Sequence, residues 1–182
     1  MSIQVIDNFA NINEQLEIIN YINQNKDFTC LFDISSLSYE QYKKYETNNT
    51  IDYPQIVHPI FLNHKIKNYF LFSCVYNLLH KNKLSDNFIQ KIKVNINFPY
   101  PKNNQKKHGP IHTDLNEKGT SVIYYINNAD GDTVFFDKKL NEIKRVSPRQ
   151  GRAVVFDSTM LHTACCPVNS VYRQIINFVL YK

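Results

Sequence analysis

Within its 182 residues the chain has no apolar run near the ~20 residues needed to cross a membrane as a helix. That excludes a helical membrane protein. Met1 to Phe9 lack a basic segment followed by an apolar core, so no secretory signal is expected. Cysteine is sparse and irregular. Cys30, Cys74, Cys165 and Cys166 match neither a zinc motif nor a disulfide framework. A reducing, cytoplasmic setting is therefore expected, the host cytoplasm if the source is viral. Extreme charge is also absent: a net charge of +5 permits an acidic partner without demanding one. No internal repeat, linker or low-complexity segment interrupts the chain.

What is present suits one globular unit. Hydrophobic residues make up 43% and charged residues 20%, with 12 Tyr and 12 Phe. That is enough for one substantial core, and the chain is short for two. A single domain over residues 1–182 is expected, with 1–89 as helical N-terminal support and 90–182 as the β core.

The first half reads as follows. Ile3 to Ile6 is a short apolar run, an edge-strand candidate. Asn11 or Asn13 caps a helix through about Asn25, with Leu16, Ile19 and either Ile22 or Ile18 on its apolar face. Ser38 to Tyr45 reads as a short helix and Thr47 to Asp52 as a loop. Pro54 and Pro59 break regular structure on both sides of Val57. From Ile60 to about His80 the pattern is helical, through Ile66, Tyr69, Phe70, Ser73, Val75, Tyr76 and Leu79. Apolar residues occupy much of that helix's circumference, which predicts burial against a sheet.

After Asp86 the period changes to two. Ile92, Val94, Ile96 and Phe98 alternate with Lys93, Asn95 and Asn97, giving a strand with one apolar face. Pro99 and Pro101 end it, and a polar loop, Lys102 to Pro110, follows. Strand-like segments then recur at Ile111–Thr113, Ser121–Ile126, Thr133–Phe136, Ile143–Val146, Ala153–Asp157, Leu161–Ala164 and Tyr172–Tyr181. About eight short strands with no helix between them predict a mainly β fold with flanking helices, a jelly-roll barrel. The helices pack outside one sheet. The last strand is apolar on both faces, with Tyr172, Ile176 and Phe178 on one and Ile175 and Val179 on the other, as such packing requires.

His112 and Asp114 are two residues apart, so on a strand they share a face. A later strand can return His162 to the same place. Two imidazoles and one carboxylate leave an octahedral ion half open, the arrangement of non-haem Fe(II) oxygenases. The open positions take 2-oxoglutarate and O2. Arg173 lies across the Cys165–Ser170 turn on the last strand, where a guanidinium can grip the distal carboxylate of 2-oxoglutarate. A buried arginine without such an anion would be costly. Singly, each piece has a blander reading: a surface His-x-Asp pair, or a core histidine. The four together favour the iron site. His58, His64, His80 and His108 have no ligand-like setting. Cys165-Cys166 reads as packing of a turn, and Asp130-Gly131-Asp132 as a hairpin turn, since later acidic calcium ligands are missing.

Residues 90–182 resemble the 2-oxoglutarate/Fe(II)-dependent dioxygenases, specifically the prolyl-4-hydroxylase-like branch and its small phage and bacterial members. The matching text is His112-Thr113-Asp114, Val122 to Asn127, Gly131 to Phe136, Gly151 to Asp157, His162 and Arg173. The resemblance implies a double-stranded β-helix (cupin-like) and metal ligands at His112, Asp114 and His162. It puts the cosubstrate anchor at Arg173, where some relatives carry lysine. It also implies a cosubstrate tyrosine at Tyr125, with Tyr124 the alternative one register away. Asn177 points the same way as Arg173, and Asn97 or Tyr100 lines the pocket. The implied cofactors are Fe(II), 2-oxoglutarate and O2, with ascorbate as an accessory reductant. The implied reaction hydroxylates a C–H bond, most naturally of a prolyl or other peptide residue, with release of succinate and CO2. Val179 stands where the nucleic-acid demethylase branch has a second arginine, which argues against nucleic acid. The basic run Lys102, Lys106, Lys107, His108 is its only local support, and reads first as a solvated loop. The same chemistry on a nucleotide or small metabolite, and a non-catalytic jelly-roll module, are the rival readings.

Overall fold

The computed structural model describes residues 2–26, 28–33, 44–47, 49–99 and 108–181. The helix expected over Ser38–Tyr45 falls almost wholly outside them, as do Tyr100, Lys102, Lys106 and Lys107. In chain order the elements are β1 (Gln4–Ile6), α1 (Ile12–Gln24), β2 (Leu31–Asp33), β3 (Gln55–Leu62), β4 (Lys65–Ile66), α2 (Tyr69–Lys81) and β5 (Phe88–Asn97). Then come β6 (Gly119–Tyr125), β7 (Thr133–Phe136), β8 (Glu142–Val146), β9 (Ala153–Asp157), β10 (Leu161–Ala164) and β11 (Arg173–Tyr181).

The strands form two sheets. The larger runs β1-β9-β6-β11-β5-β3-β2, with β4 attached to β3, and the smaller runs β10-β7-β8. Inward residues of both meet in one apolar cluster: Ile123 and Tyr125 from β6, Phe135 from β7, Val146 from β8, Phe156 from β9 and Ile175 from β11. This is the jelly-roll barrel expected from the strand spacing, and the double-stranded β-helix that the resemblance implies. The outward face of the larger sheet is covered by the helices. Ile18 and Ile22 of α1 and Leu71, Val75, Leu78 and Leu79 of α2 pack against Val94, Tyr124, Ile176 and Phe178. Alternation along β11 decides both contacts, because residues two apart share a face.

Local sequence fixes the helix starts. The Asn11 side chain accepts from the Glu14 N–H while Glu14 accepts from the Asn11 N–H, a reciprocal capping box. Asn68 caps α2 by accepting from the Leu71 N–H at 3.0 Å. The apolar face of α1 runs through Ile18 and Ile22, but Leu16, expected there, is 46% exposed and Gln15 is buried instead. Gln15 earns that place by donating to the Ala10 carbonyl at 2.8 Å.

The helix expected from Ile60 begins only at Tyr69. Residues 55–62 are a strand, and Asn63 and His64 turn it back at φ 54° and 57° into β4. Two consecutive left-handed residues make the tight turn that suits a hairpin. Pro59 does not break β3 as expected. It sits past the last pair with β2, and the register with β5 shifts between Pro59 and Phe61, so the missing N–H is absorbed at an irregularity. Residues 1–89, expected as helical support, therefore also supply β1 to β4. On α2 the buried residues are Leu71, Val75, Leu78 and Leu79, while Tyr69, Phe70 and Tyr76 are exposed. Where apolar residues surround a helix, the neighbouring sheet chooses the buried face. Ile111–Thr113 is reduced to a single bridge between His112 and His162.

The segment before β11 is clasped by Asp130, whose carboxylate accepts from the N–H groups of Val168, Asn169 and Ser170 at 3.1, 2.8 and 3.2 Å. Burial works against its ionisation, but these backbone donors outweigh it and draw the carboxyl down to about 2. A depressed folded-state value means the clasp stabilises above the ordinary 3.8 and is lost as pH falls through about 2. Asp130→Asn is expected to lower the melting temperature at pH 7 and to flatten its fall between these two values, as read by thermal melts across pH.

Candidate metal and cosubstrate site

The two histidines are brought together by main chain. The His112 N–H donates to the His162 carbonyl at 3.0 Å, and the His162 N–H returns the bond at 2.9 Å. Directly opposed residues share a face, so the imidazoles lie side by side with ring centroids 4.5 Å apart. Each Nδ1 is 3.0 Å from the carbonyl two residues back, Pro110 for His112 and Met160 for His162. A carbonyl can only accept, so each Nδ1 carries its proton and Nε2 is the nitrogen left to face a metal.

Asp114 completes the group. Its N–H and that of Leu115 both donate to the Ser158 carbonyl, at 2.9 and 3.1 Å. Its Oδ2 accepts from Ser121 Oγ at 2.6 Å and lies 3.7 Å from His162 Nε2. Oδ1 faces Asn177 Nδ2 at 3.5 Å and Lys91 Nζ at 4.0 Å. One donor atom from each of His112, Asp114 and His162 lies within 4.8 Å of the others. Burial pushes His112 down to about 4, aided by His162, so the imidazole is neutral near pH 7. For Asp114 burial pushes upward, but His162, His112 and Lys91 with the Ser121 bond prevail, and the carboxyl is held below its ordinary value. A neutral His112 beside an ionised Asp114, with His162 next to them, is a donor set that suits a divalent ion.

Arg173 stands in the same cavity, of about 200 Å³. It is 1% exposed. Nε donates to the Gly131 carbonyl at 2.7 Å, Nη1 to Asn97 Oδ1 at 3.2 Å and Nη2 to Thr133 Oγ1 at 2.9 Å. Three of five N–H groups are thus used, and one remains on each Nη, the pair that grips a carboxylate. Among the described residues no carboxylate lies within ion-pair distance of it. Tyr125 presents its ring 5.6 Å from the guanidinium carbon. Three other cations are already spent elsewhere: Arg152 on Asp7, Arg145 on Glu142, and Lys144 on the Ile3 carbonyl.

Of the residues picked out in the sequence, His112, Asp114, His162, Arg173, Asn97 and Asn177 all line this cavity. Tyr125 lies behind it, its hydroxyl donating to Thr133 Oγ1 at 2.7 Å. Tyr124 faces the helices in the other core. His58 is structural, bonded to the Thr29 carbonyl and to Asn68, and His108 to the Gly109 carbonyl. Cys165 is buried in the small-sheet cluster, as a packing role requires.

Several residues were not picked out. Ser121 shares the inward face of β6 with Tyr125 by simple alternation, a signal available in the sequence. Thr133 could have been found the same way from Phe135. Gly131 could not: a Cβ there would stand 2.5 Å from the Cys165 carbonyl oxygen, a close approach only the fold reveals. Lys91, Lys93, Asn95 and Gln55 also line the cavity, on a polar strand face that faces inward. A second depression of about 440 Å³, lined by Gln90, Asn116, Glu117 and Tyr181, meets the first at Thr113 and Asp114.

Residues 99–181 match the model of the 2OG-Fe(II) oxygenase superfamily. No curated protein sequence matches the chain. Among solved structures it is similar to a 2OG-Fe(II) oxygenase family oxidoreductase from Burkholderia pseudomallei, at TM-score 0.72 and 12% identity, over 98% of this chain and 84% of that one. It is similar to a Pseudomonas putida prolyl-4-hydroxylase at TM-score 0.59 and 14% identity, over 99% and 92%. It is also similar to the non-heme alpha ketoglutarate dependent epimerase SnoN from nogalamycin biosynthesis, at TM-score 0.64 and 8% identity, over 99% and 78%. No helix among the described residues is long and apolar enough to cross a membrane.

Thr133→Val keeps the volume and removes the oxygen that serves both Arg173 and Tyr125. Leaving one buried Arg173 N–H unpaired, with Tyr125 reduced to the Val146 carbonyl at 3.3 Å, is expected to cost about 1–3 kcal/mol, measured by urea denaturation.

Proposed function

We propose that this chain, whose residues 99–181 match the model of the 2OG-Fe(II) oxygenase superfamily, is an oxygenase of that kind, works as one domain over residues 1–182 and hydroxylates a C–H bond of a prolyl or other peptide residue. The substrate, O2 and 2-oxoglutarate are consumed, and hydroxylated product, succinate and CO2 are released. The observation that carries the reading is one cavity with three metal-type donors, His112, Asp114 and His162, and an unpaired, buried Arg173.

Fe(II) with 2-oxoglutarate supplies the oxidising chemistry when bound. The chain supplies placement. The Pro110 and Met160 carbonyls hold the imidazoles with Nε2 inward, and Ser121 holds Asp114 against rotation. Arg173 offers its two free N–H groups to the distal carboxylate, with Asn97 and Thr133 fixing the fork. Tyr125 acts behind it through Thr133 and its ring face. Asn177 steadies Asp114. Ile123 and Ile175 give the cavity apolar wall.

The peptide reading is supported by the second depression, which meets the first at Asp114 and lets an extended ligand lie past the donors. Similarity to a prolyl-4-hydroxylase supports it too. A small metabolite is the second reading, favoured by similarity to an epimerase of antibiotic biosynthesis.

Anaerobic titration of Fe(II)-loaded protein with 2-oxoglutarate is expected to produce the weak visible charge-transfer band of the chelated cosubstrate. Bound metal without that band would make the chain a silent jelly-roll module. Arg173→Ala should leave metal binding intact and weaken 2-oxoglutarate by thirtyfold or more, since stranding a buried charge partner costs roughly 2 kcal/mol or more. Asp114→Ala should abolish iron-dependent succinate formation, with only two protein donors left.

A further inference from the structure

We propose that Lys91 and Lys93 form a subsite for an anionic group on the substrate, beside the donor end of the cavity. The inference rests on the oxygenase reading and adds a substrate class to it.

The inward face of β5 carries Lys91, Lys93, Asn95 and Asn97, paired across to Val179, Asn177, Ile175 and Arg173 of β11. Lysines on a two-residue period usually mark a solvent face. Here they line the cavity. Among the described residues Lys93 makes no hydrogen bond or ion pair. Lys91 has only Asp114, at 4.0 Å.

Charge makes the subsite specific. Among the described residues, the charged ones that line the cavity are Lys91, Lys93, Arg173 and Asp114. Three cations against one anion leave a surplus of two positive charges. A divalent metal and the dianionic cosubstrate cancel one another, so loading the site leaves that surplus in place. Arg173 is then answered by the cosubstrate and Asp114 by the metal. Lys93 is drawn only electrostatically, by Asp114 and Asp33, and once Asp114 serves the metal neither lysine keeps a close partner among the described lining residues. Asp33, on exposed β2, is not among the lining residues. Partly buried cations without a counter-ion are costly and draw anions to the cleft.

A second observation lies beside the lysines. Asn95 Oδ1 and Asn177 Oδ1 are buried with no hydrogen-bond partner. Both belong to lining residues, and Asn177 is the register partner of Lys93. Unfilled acceptors next to unfilled cations suit a ligand with an anionic oxygen group flanked by an N–H or O–H. A carboxylate or a phosphate would supply the anion.

The test uses protein loaded anaerobically with Fe(II) and saturating 2-oxoglutarate, titrated calorimetrically with inorganic phosphate and with acetate. At least one anion should bind while the charge-transfer band persists. Lys93→Gln and the double variant Lys91→Ala/Lys93→Ala should weaken it roughly tenfold or more, the usual loss of a charge-assisted hydrogen bond. Lys93→Arg should restore it, which separates lost charge from lost folding. Binding of phosphate alone points to a phosphorylated substrate, and binding of acetate to a carboxylate. The subsite is overturned if neither anion binds, if the variants bind equally well, or if the anion displaces the band by taking the Arg173 position. Should the band never form, the oxygenase reading fails. The same phosphate titration on iron-free protein, comparing wild type with the lysine variants, then decides the subsite separately.

Discussion

A β-strand sends successive side chains to opposite faces, and on β11 both faces are committed. Ile176, Phe178 and Leu180 enter the core beneath the helices. Arg173, Ile175 and Asn177 enter the barrel. A slip of one residue would put a guanidinium among helix side chains and phenylalanine in the cavity. The register with β5 and β6 on its two sides prevents this over nearly the whole strand. Apolar burial on one face thus positions polar chemistry on the other. The site depends on packing that never touches it.

Much of this was legible in the sequence, for physical reasons. His112 and Asp114 share a face because they are two apart, and the strands after residue 118 fall close to where alternation put them. The return of His162 to His112 was legible only through the motif order, since no local rule links residues 50 apart. Reading failed where two periods overlap. Residues 60–67 carry apolar residues that suit a helix or a hairpin, and the Asn63-His64 turn decided for the hairpin. Pro59 was misread because a proline's cost depends on what its missing N–H would have met. The polar face of β5 was half legible: Asn97 was picked out for the pocket, while Lys93 was read only as part of the polar alternation and Lys91 was not picked out.

The donor end and the Arg173 end are built by different means. His112 and His162 are tied by main-chain bonds, which no side-chain substitution removes. Arg173 is held by side-chain and carbonyl acceptors that converge from two separate segments, Asn97 at the end of β5 and Gly131 with Thr133 at the start of β7. Such a network is rigid when complete and sensitive to each member. The metal-type donors are therefore the robust part of the site and the anion anchor the fragile part.

β1 bears on how the molecule comes into being. Gln4, Val5 and Ile6 pair with Val155, Val154 and Ala153. β1 thus waits for a partner that lies far along the sequence. β5 waits similarly for β11. Until β11 has emerged, the larger sheet lacks its middle strand, and the nascent chain holds unpaired edges and an uncovered apolar face. Long-range pairings of this kind slow folding and expose the intermediate to aggregation. Completion of the final strand joins both halves of the sheet and brings Arg173 into the cavity in the same event.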